Sequence, residues 1–384
     1  MATYLNTRLF LSSSFLLASS IAAPLQWTWS TPSTFIHCSN SSGDLNPLAI
    51  SAMAASSFAV VEKYQALLQA PVRTGGEIKV INAARAVRDV NPNVTMIFYF
   101  AVDYTREWYD LGRWFDQHSY LQVHNANGQR ANHTDTDGGL QNNWGIFDWS
   151  QEEAREAWVN KIASVVSTSD NNGNNLFDGV FIDGYRDEDS WTEQLIPNAT
   201  VEEKTAWLDG AKQLGFSLAE AIGDSSIRFI NPGQVYASFP GYSANSIEFF
   251  SPDDADIKFL QSIIGEFKTI EVHAYIGDNL ALFNTTLAAY LIGVGEGAYF
   301  GAGSQWAQCD DWLIPHFEYD EALGAPDGIG TQSGSVWTRS FNGGKTSVTL
   351  DTSSKKSCII WASGRTTGNN CAHNGGAMML SNYI

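Results

Sequence analysis

Two acids in this chain have the setting that bond chemistry needs. Asp183 lies in the string FDGVFIDG (177–184), where apolar residues lead up to the carboxylate and a glycine follows it. A carboxylate placed so is desolvated on one side and open on the other. Glu248 ends the run Ser246-Ile247 and is followed by Phe249 and Phe250. Aromatic neighbours favour the protonated form of an acid, which suits a general acid. The plainer alternatives are a turn or helix-cap role for Asp183 and a structural pairing of Glu248 with Lys258. Two carboxyl groups across a pocket are what glycosidic bond cleavage requires: one protonates the leaving oxygen, the other attacks the anomeric carbon or activates water.

His37, Glu62, Asn231 and His273 also end apolar runs, and Asp103 lies just past one. They are expected to position a sugar. Trp108, Trp114, Trp144, Trp149, Trp191 and Trp306 fall in expected loops or loop edges. An indole packs well on the apolar face of a pyranose, so the tryptophans, Trp144 in particular, are expected to bind substrate. Other chemistries lack their residues. There is no Gly-x-Ser-x-Gly elbow, and the 7 histidines show no tight ligand spacing. The stretch from Asp170 has Asn175 where a calcium loop needs glycine and Phe181 where it needs glutamate. No metal and no cofactor are expected.

The elements that must position these residues read as eight short strands: Thr34–Cys38, Phe58–Glu62, Val94–Ala101, Gly179–Asp183, Ile227–Asn231, Ser246–Phe249, Thr269–His273 and Ala298–Ala302. Runs apolar on both faces mark parallel strands covered by helices. Helix starts are expected at Ser150 with Glu153, at Thr200 with Glu203, and at Ser251-Pro252. The alternation predicts an α/β fold, a (β/α)8 TIM barrel. A doubly wound sheet would want a glycine-rich loop after its first strand, and none is there. Between strands three and four a hairpin is expected, turning at residues 125–128 and hanging over the carboxyl-end face. From residue 304 short strands and the turn Asn342-Gly343-Gly344 predict a small C-terminal antiparallel β domain. The expected division is 1–22 signal peptide, 23–303 barrel and 304–384 β domain.

The chain has 384 residues, 44% of them hydrophobic, and a net charge of −19. That charge argues against nucleic acid and anionic membrane surfaces as partners. Arg8 precedes an apolar stretch ending in small residues, the pattern of a secretory signal peptide cleaved after Ala22. The stretch is too short for a membrane span, so a secreted protein without stable membrane insertion is expected. Acceptor sequons begin at Asn40, Asn93, Asn132, Asn198 and Asn284. The 4 cysteines permit three pairings. Cys38 ends strand one and Cys309 follows strand eight, neighbours when a barrel closes, so Cys38–Cys309 and Cys358–Cys371 are expected.

FDGVFIDG, the segment from Asn143-Trp144 through Asp148-Trp149, and the tail FEYDEALGAPDGIG leading to SVWTRSFNGG resemble the TIM-barrel hypothetical glycosyl hydrolases, family fifteen of that series. The resemblance implies a barrel and a carbohydrate substrate. A strand-four aspartate with a strand-six acid also resembles dextranase-like and α-galactosidase-like barrels, which implies Asp183 as nucleophile and Glu248 as acid/base of a retaining enzyme. The alternative is a barrel that binds carbohydrate, or serves structurally, without catalysis.

Overall fold

The computed structural model describes residues 25, 27–125, 127–135, 142–170, 173–185, 188–232, 241–305, 308–314 and 316–371. The expected signal peptide and Trp306 lie outside them. Strands β1 (Phe35–Cys38), β2 (Phe58–Val61) and β3 (Thr95–Ala101) precede a small hairpin of β4 (Asn132–Asp135) and β5 (Asn142–Gly145). Then come β6 (Gly179–Asp183), β7 (Ile227–Ile230), β8 (Ala244–Ile247), β9 (Thr269–Tyr275) and β10 (Ala298–Gly303). Without the hairpin these make one parallel 8-stranded sheet, ordered β1-β2-β3-β6-β7-β8-β9-β10. A parallel bridge between Thr34 and Phe300 joins its ends. The Cys38–Cys309 disulfide crosses the same seam, with Cα atoms 4.5 Å apart. The fold is the expected (β/α)8 barrel.

Successive side chains on a strand point to opposite faces. Phe58, Val60, Tyr99, Phe181, Phe229 and Tyr299 therefore cluster inside the barrel. Met96, Phe98, Val180 and Ile182, the alternate residues, face the helices. Each such buried side chain contributes about 1.5–3 kcal/mol. Continuing the inward rows by two residues leads from Val60 to Glu62, from Phe181 to Asp183 and from Phe229 to Asn231. The alternation that fills the core thus delivers polar groups to the carboxyl-end mouth.

Two barrel strands end two residues away from expectation. The sixth barrel strand is Ala244–Ile247, which leaves Glu248 in the turn just after it. The seventh runs on to Tyr275. Helix starts divide similarly. Thr200 and Glu203 form a full capping box on helix Val201–Ile222. Ser150 does not cap: its N–H and hydroxyl both bond Asp148, and helix Glu152–Val166 begins after Gln151. Ser251-Pro252 also precedes its helix. Asp253 caps Asp254–Ile263, while Ser251 bonds the Asp256 carboxylate, because a carboxylate is the better acceptor there.

The excursion after β3 turns at Asn125–Gly128 as expected, with His124 bridged to Arg130; its regular ladder is the later β4–β5 pair. A bridge from Tyr104 to Ile146 ties it to the chain just past β3. The C-terminal strands β11 (Thr331–Ser333), β12 (Val336–Phe341), β13 (Thr346–Asp351), β14 (Lys356–Ile360) and β15 (Thr366–Gly368) form a separate antiparallel sheet in that order. Trp337, Phe341, Leu350 and Trp361 pack it against Leu287 and Leu291 of barrel helix Leu280–Gly293. Arg339 reaches the end of that helix and donates to the carbonyls of Leu291 and Ile292 at 3.1 and 3.2 Å, filling acceptors a helix terminus leaves open. Cys358 and Cys371 are bonded, with Cα atoms 4.9 Å apart.

Candidate active site

Asp183 is the last residue of β6. Gly184 follows with φ of +86°, and a Cβ on it would come within 2.5 Å of the Asp103 carboxyl. Only glycine allows both that backbone turn and that approach. The Gly184 N–H donates to Asp183 Oδ1 at 2.8 Å. The Tyr99 hydroxyl donates to Oδ2, and Lys63 Nζ stands 3.7 Å from the same oxygen.

Asn231, just past β7, joins the two acids. Its amide nitrogen donates to Asp183 Oδ1 and to Glu248 Oε2, at 3.0 Å each. The Tyr275 hydroxyl donates to Glu248 Oε1 at 2.8 Å. Lys258, the other candidate partner of Glu248, pairs with Asp254 instead, at 4.0 Å. Asp183 and Glu248 are both only partly buried, so the pair opens to solvent.

Their surroundings drive the two acids apart in acidity. For Asp183, burial favours the neutral form, but the Lys63 and Arg106 charges and the Tyr99 and Asn231 hydrogen bonds outweigh it and hold the pKa below the ordinary value. For Glu248, burial, and then the negative charge of Asp183, push the pKa up against the bonds from Asn231 and Tyr275. Asp183 is thus the stronger acid of the pair and Glu248 the weaker, the kind of separation by which acid and base roles divide in one pocket.

His37, Glu62 and His273 lie below this pair, all with 0% exposure. His37 Nδ1 is 2.6 Å from Glu62 Oε1 and its Nε2 is 2.8 Å from Glu271 Oε2. Ser246 donates to the other Glu271 oxygen at 3.0 Å. Burial alone would lower the His37 pKa, but Glu271 and Glu62 raise it to about 9. His37, Glu62 and Glu271 are a buried ionic layer, and His273 is neutral beside it because burial and the His37 charge lower its pKa; the expectation that His37, Glu62 and His273 touch sugar gives way to a supporting place. Glu62 still reaches the mouth through the chain, since its Oε2 accepts the Lys63 N–H at 3.2 Å.

Asp103 is beside the pair but mostly buried, bonded by the Tyr104 N–H at 2.9 Å and 3.6 Å from Arg106. Trp144 is 1% exposed, and Tyr104 stacks on it at 4.8 Å. Trp108, Trp149 and Trp191 are buried as well. The Trp149 indole N–H donates to the Val102 carbonyl at 3.1 Å, and Trp158 does the same for Ala101. These rings are walls that fix the end of β3, not platforms. Tyr99, Lys63, Arg106, Glu271 and Tyr275 are the site residues that strand-end reasoning missed. The alternation along β3 points Tyr99 inward, and could have found it. A cavity of about 440 Å³ lies elsewhere, lined by His124, Asp148, Asn198 and Trp207 among others, and neither Asp183 nor Glu248 lines it.

Among solved structures, the chain is similar to the glycoside hydrolase domain of PelA from Pseudomonas aeruginosa, at 14% identity and a TM-score of 0.45, covering 72% of this chain and 99% of that one. It is also similar to a variant of the GH36 α-galactosidase AgaA from Geobacillus stearothermophilus bound to raffinose, at 9% identity and a TM-score of 0.48, covering 86% of this chain and 48% of that one. Glucosidase II alpha subunit matches at 11% identity and a TM-score of 0.47, over 73% of this chain and 32% of that one. This chain thus spans about half of AgaA and a third of glucosidase II. No curated protein matches it. Residues 88–345, which run from before β3 into the C-terminal sheet, match a family of glycosyl hydrolases defined at the sequence level. The chain belongs to hypothetical glycosyl hydrolase family 15.

Proposed function

We propose that this family member is an exported, retaining glycoside hydrolase with Asp183 as nucleophile and Glu248 as acid/base. The observation that carries the reading is the Asn231 amide held between the two carboxyls. Two 3.0 Å bonds meeting at one nitrogen keep Asp183 Oδ1 and Glu248 Oε2 within about 6 Å. If they leave along the two N–H directions, the separation is about 5 Å. Retaining enzymes hold their carboxyls about 5–5.5 Å apart, and inverting ones about 6.5–9.5 Å apart to admit a water.

In the first step Glu248 gives its proton to the glycosidic oxygen as that bond breaks, and Asp183 bonds the anomeric carbon. In the second step Glu248, now ionised, takes a proton from water, which displaces Asp183 and restores both groups. Tyr99 is buried and pushed well above its ordinary pKa, so it remains a donor that fixes the rotamer of Asp183. Lys63 and Arg106 keep Asp183 charged before attack.

In this reading the catalytic unit is the barrel, assigned to 23–303, and the C-terminal sheet of β11 to β15 belongs to a small β domain assigned to 304–384. Two disulfides support export. A screen of glycans with product detection is the first test. Release of a reducing sugar by the wild-type chain and none by Asp183→Asn is expected. A chain that binds glycans and cleaves none would favour a non-catalytic barrel. N-terminal sequencing of the exported protein should begin near Ala23.

A further inference from the structure

Phe249 is the residue that this chemistry leaves unexplained. Its ring is 49% exposed although it follows the acid/base directly. Its backbone is left-handed, with φ of +63°, a conformation rare and costly for a bulky side chain and free for glycine. The conformation serves the local geometry. Ile247 is still in the β8–β9 ladder, and the Phe250 N–H returns to the His273 carbonyl at 2.9 Å. Glu248 and Phe249 form the turn between them, so the chain must bend sharply at Phe249. Glycine would do that at less cost and keep Glu248 where it is.

The ring is held flat as well as exposed. It stacks on Tyr275 with centroids 4.7 Å apart and planes at 25°, and the Tyr275 hydroxyl bonds Glu248. Phe249, Tyr275 and Glu248 thus form one side of the mouth. Tyr99, Lys63, Asp103 and Asp183 form the other. With Trp108, Trp144, Trp149 and Trp191 buried, this is a large aromatic ring offered to solvent beside the acids, on the side where a leaving group receives its proton.

We infer that Phe249 is the platform for the sugar on the leaving-group side of the scissile bond, stacking on the apolar face of an uncharged pyranose. The inference rests on Glu248 being the acid/base. It implies a substrate that continues past the cleaved bond with another sugar.

The test compares substrates with and without that sugar. Neutral α- and β-linked gluco- and galacto-oligosaccharides of two to six units place a pyranose there; the α- and β-fluorides of glucose and galactose place only fluoride. Phe249→Ala should lower kcat/KM about 10- to 100-fold on the cleaved oligosaccharide, at least tenfold more than on the fluoride. Phe249→Trp should recover most of the loss. Phe249→Gly relieves the backbone and should melt no lower than wild type, yet lose activity as Phe249→Ala does, which separates the ring from the turn. Equal losses on both substrate classes, or no loss on the oligosaccharide, would overturn the platform and leave the hydrolase reading standing. No turnover of either class by the wild-type chain would defeat that reading, and the platform with it.

Discussion

Asp183 and Glu248 share a single hydrogen-bond donor, the side-chain nitrogen of Asn231, at 3.0 Å each. Three strands in a row supply the three residues: β6 ends with Asp183, Asn231 follows β7, and Glu248 follows β8. The middle strand therefore sets the distance between its neighbours' acids and lowers the pKa of both.

Asn231→Ala should lower kcat about 100-fold, the usual scale for one lost donor at a charge that develops or is spent in the reaction. Its bonds lower the pKa of both Asp183 and Glu248, so both limbs of the pH profile should move up. Steady-state kinetics across pH would check this; an unmoved profile would remove Asn231 from the pair.

The pH profile of the wild-type chain should be bell-shaped. Activity falls in acid as Asp183 takes a proton, later than usual because its pKa is depressed. It falls in base as Glu248 loses its proton, also later than usual because its pKa is raised. Lys63→Met removes a charge that holds Asp183 down strongly and Glu248 down more weakly, so the acid limb should shift clearly upward and the alkaline limb less. A Lys63→Met profile that overlays the wild type would contradict the assignment of Asp183 to that limb.

Much of this arrangement was legible in the sequence, and the parts that were not have physical reasons. Ends of apolar runs located Asp183, Asn231 and Glu248, because a parallel strand buried on both faces turns polar at low cost where it leaves the barrel. The same rule offered His37 and Glu62 as residues that position a sugar. Barrel strands are staggered by the shear of the sheet, so their ends lie at different depths, and His37 is enclosed between Glu62 and Glu271. Tyr275 was missed because β9 continues two residues beyond His273. The tryptophans were read as platforms because loop position carries no information on which way an indole folds. That of Trp149 is turned inward by the Val102 carbonyl, which takes its N–H.

The buried layer gives a pH-dependent stability. The His37 pKa is raised from 6.5 to about 9 in the folded chain, so its contribution is complete below the unfolded value and lost as pH rises through about 9. The full contribution is about 3 kcal/mol. Thermal melts should show wild type well above His37→Gln at pH 6, with the gap closing toward pH 10. A gap independent of pH would mean that His37 is neutral between Glu62 and Glu271.

The disulfide at the barrel seam closes a long loop, with 271 residues of sequence separation between Cys38 and Cys309. Replacing both by Ser should cost about 2–4 kcal/mol and lower the melting temperature without changing the pH profile of activity. Loss of the profile's shape at temperatures where the variant is folded would show that the seam also positions the site.

The most direct test of the central claim is the anomeric configuration of the first-formed product, followed by proton NMR during hydrolysis of whichever glycan the wild-type chain cleaves. With Asp183 as nucleophile and Glu248 as acid/base, the product appears first in the configuration of the substrate and then mutarotates. The opposite anomer appearing first would contradict the account, because a water would then have attacked where Asp183 is held to bond the sugar.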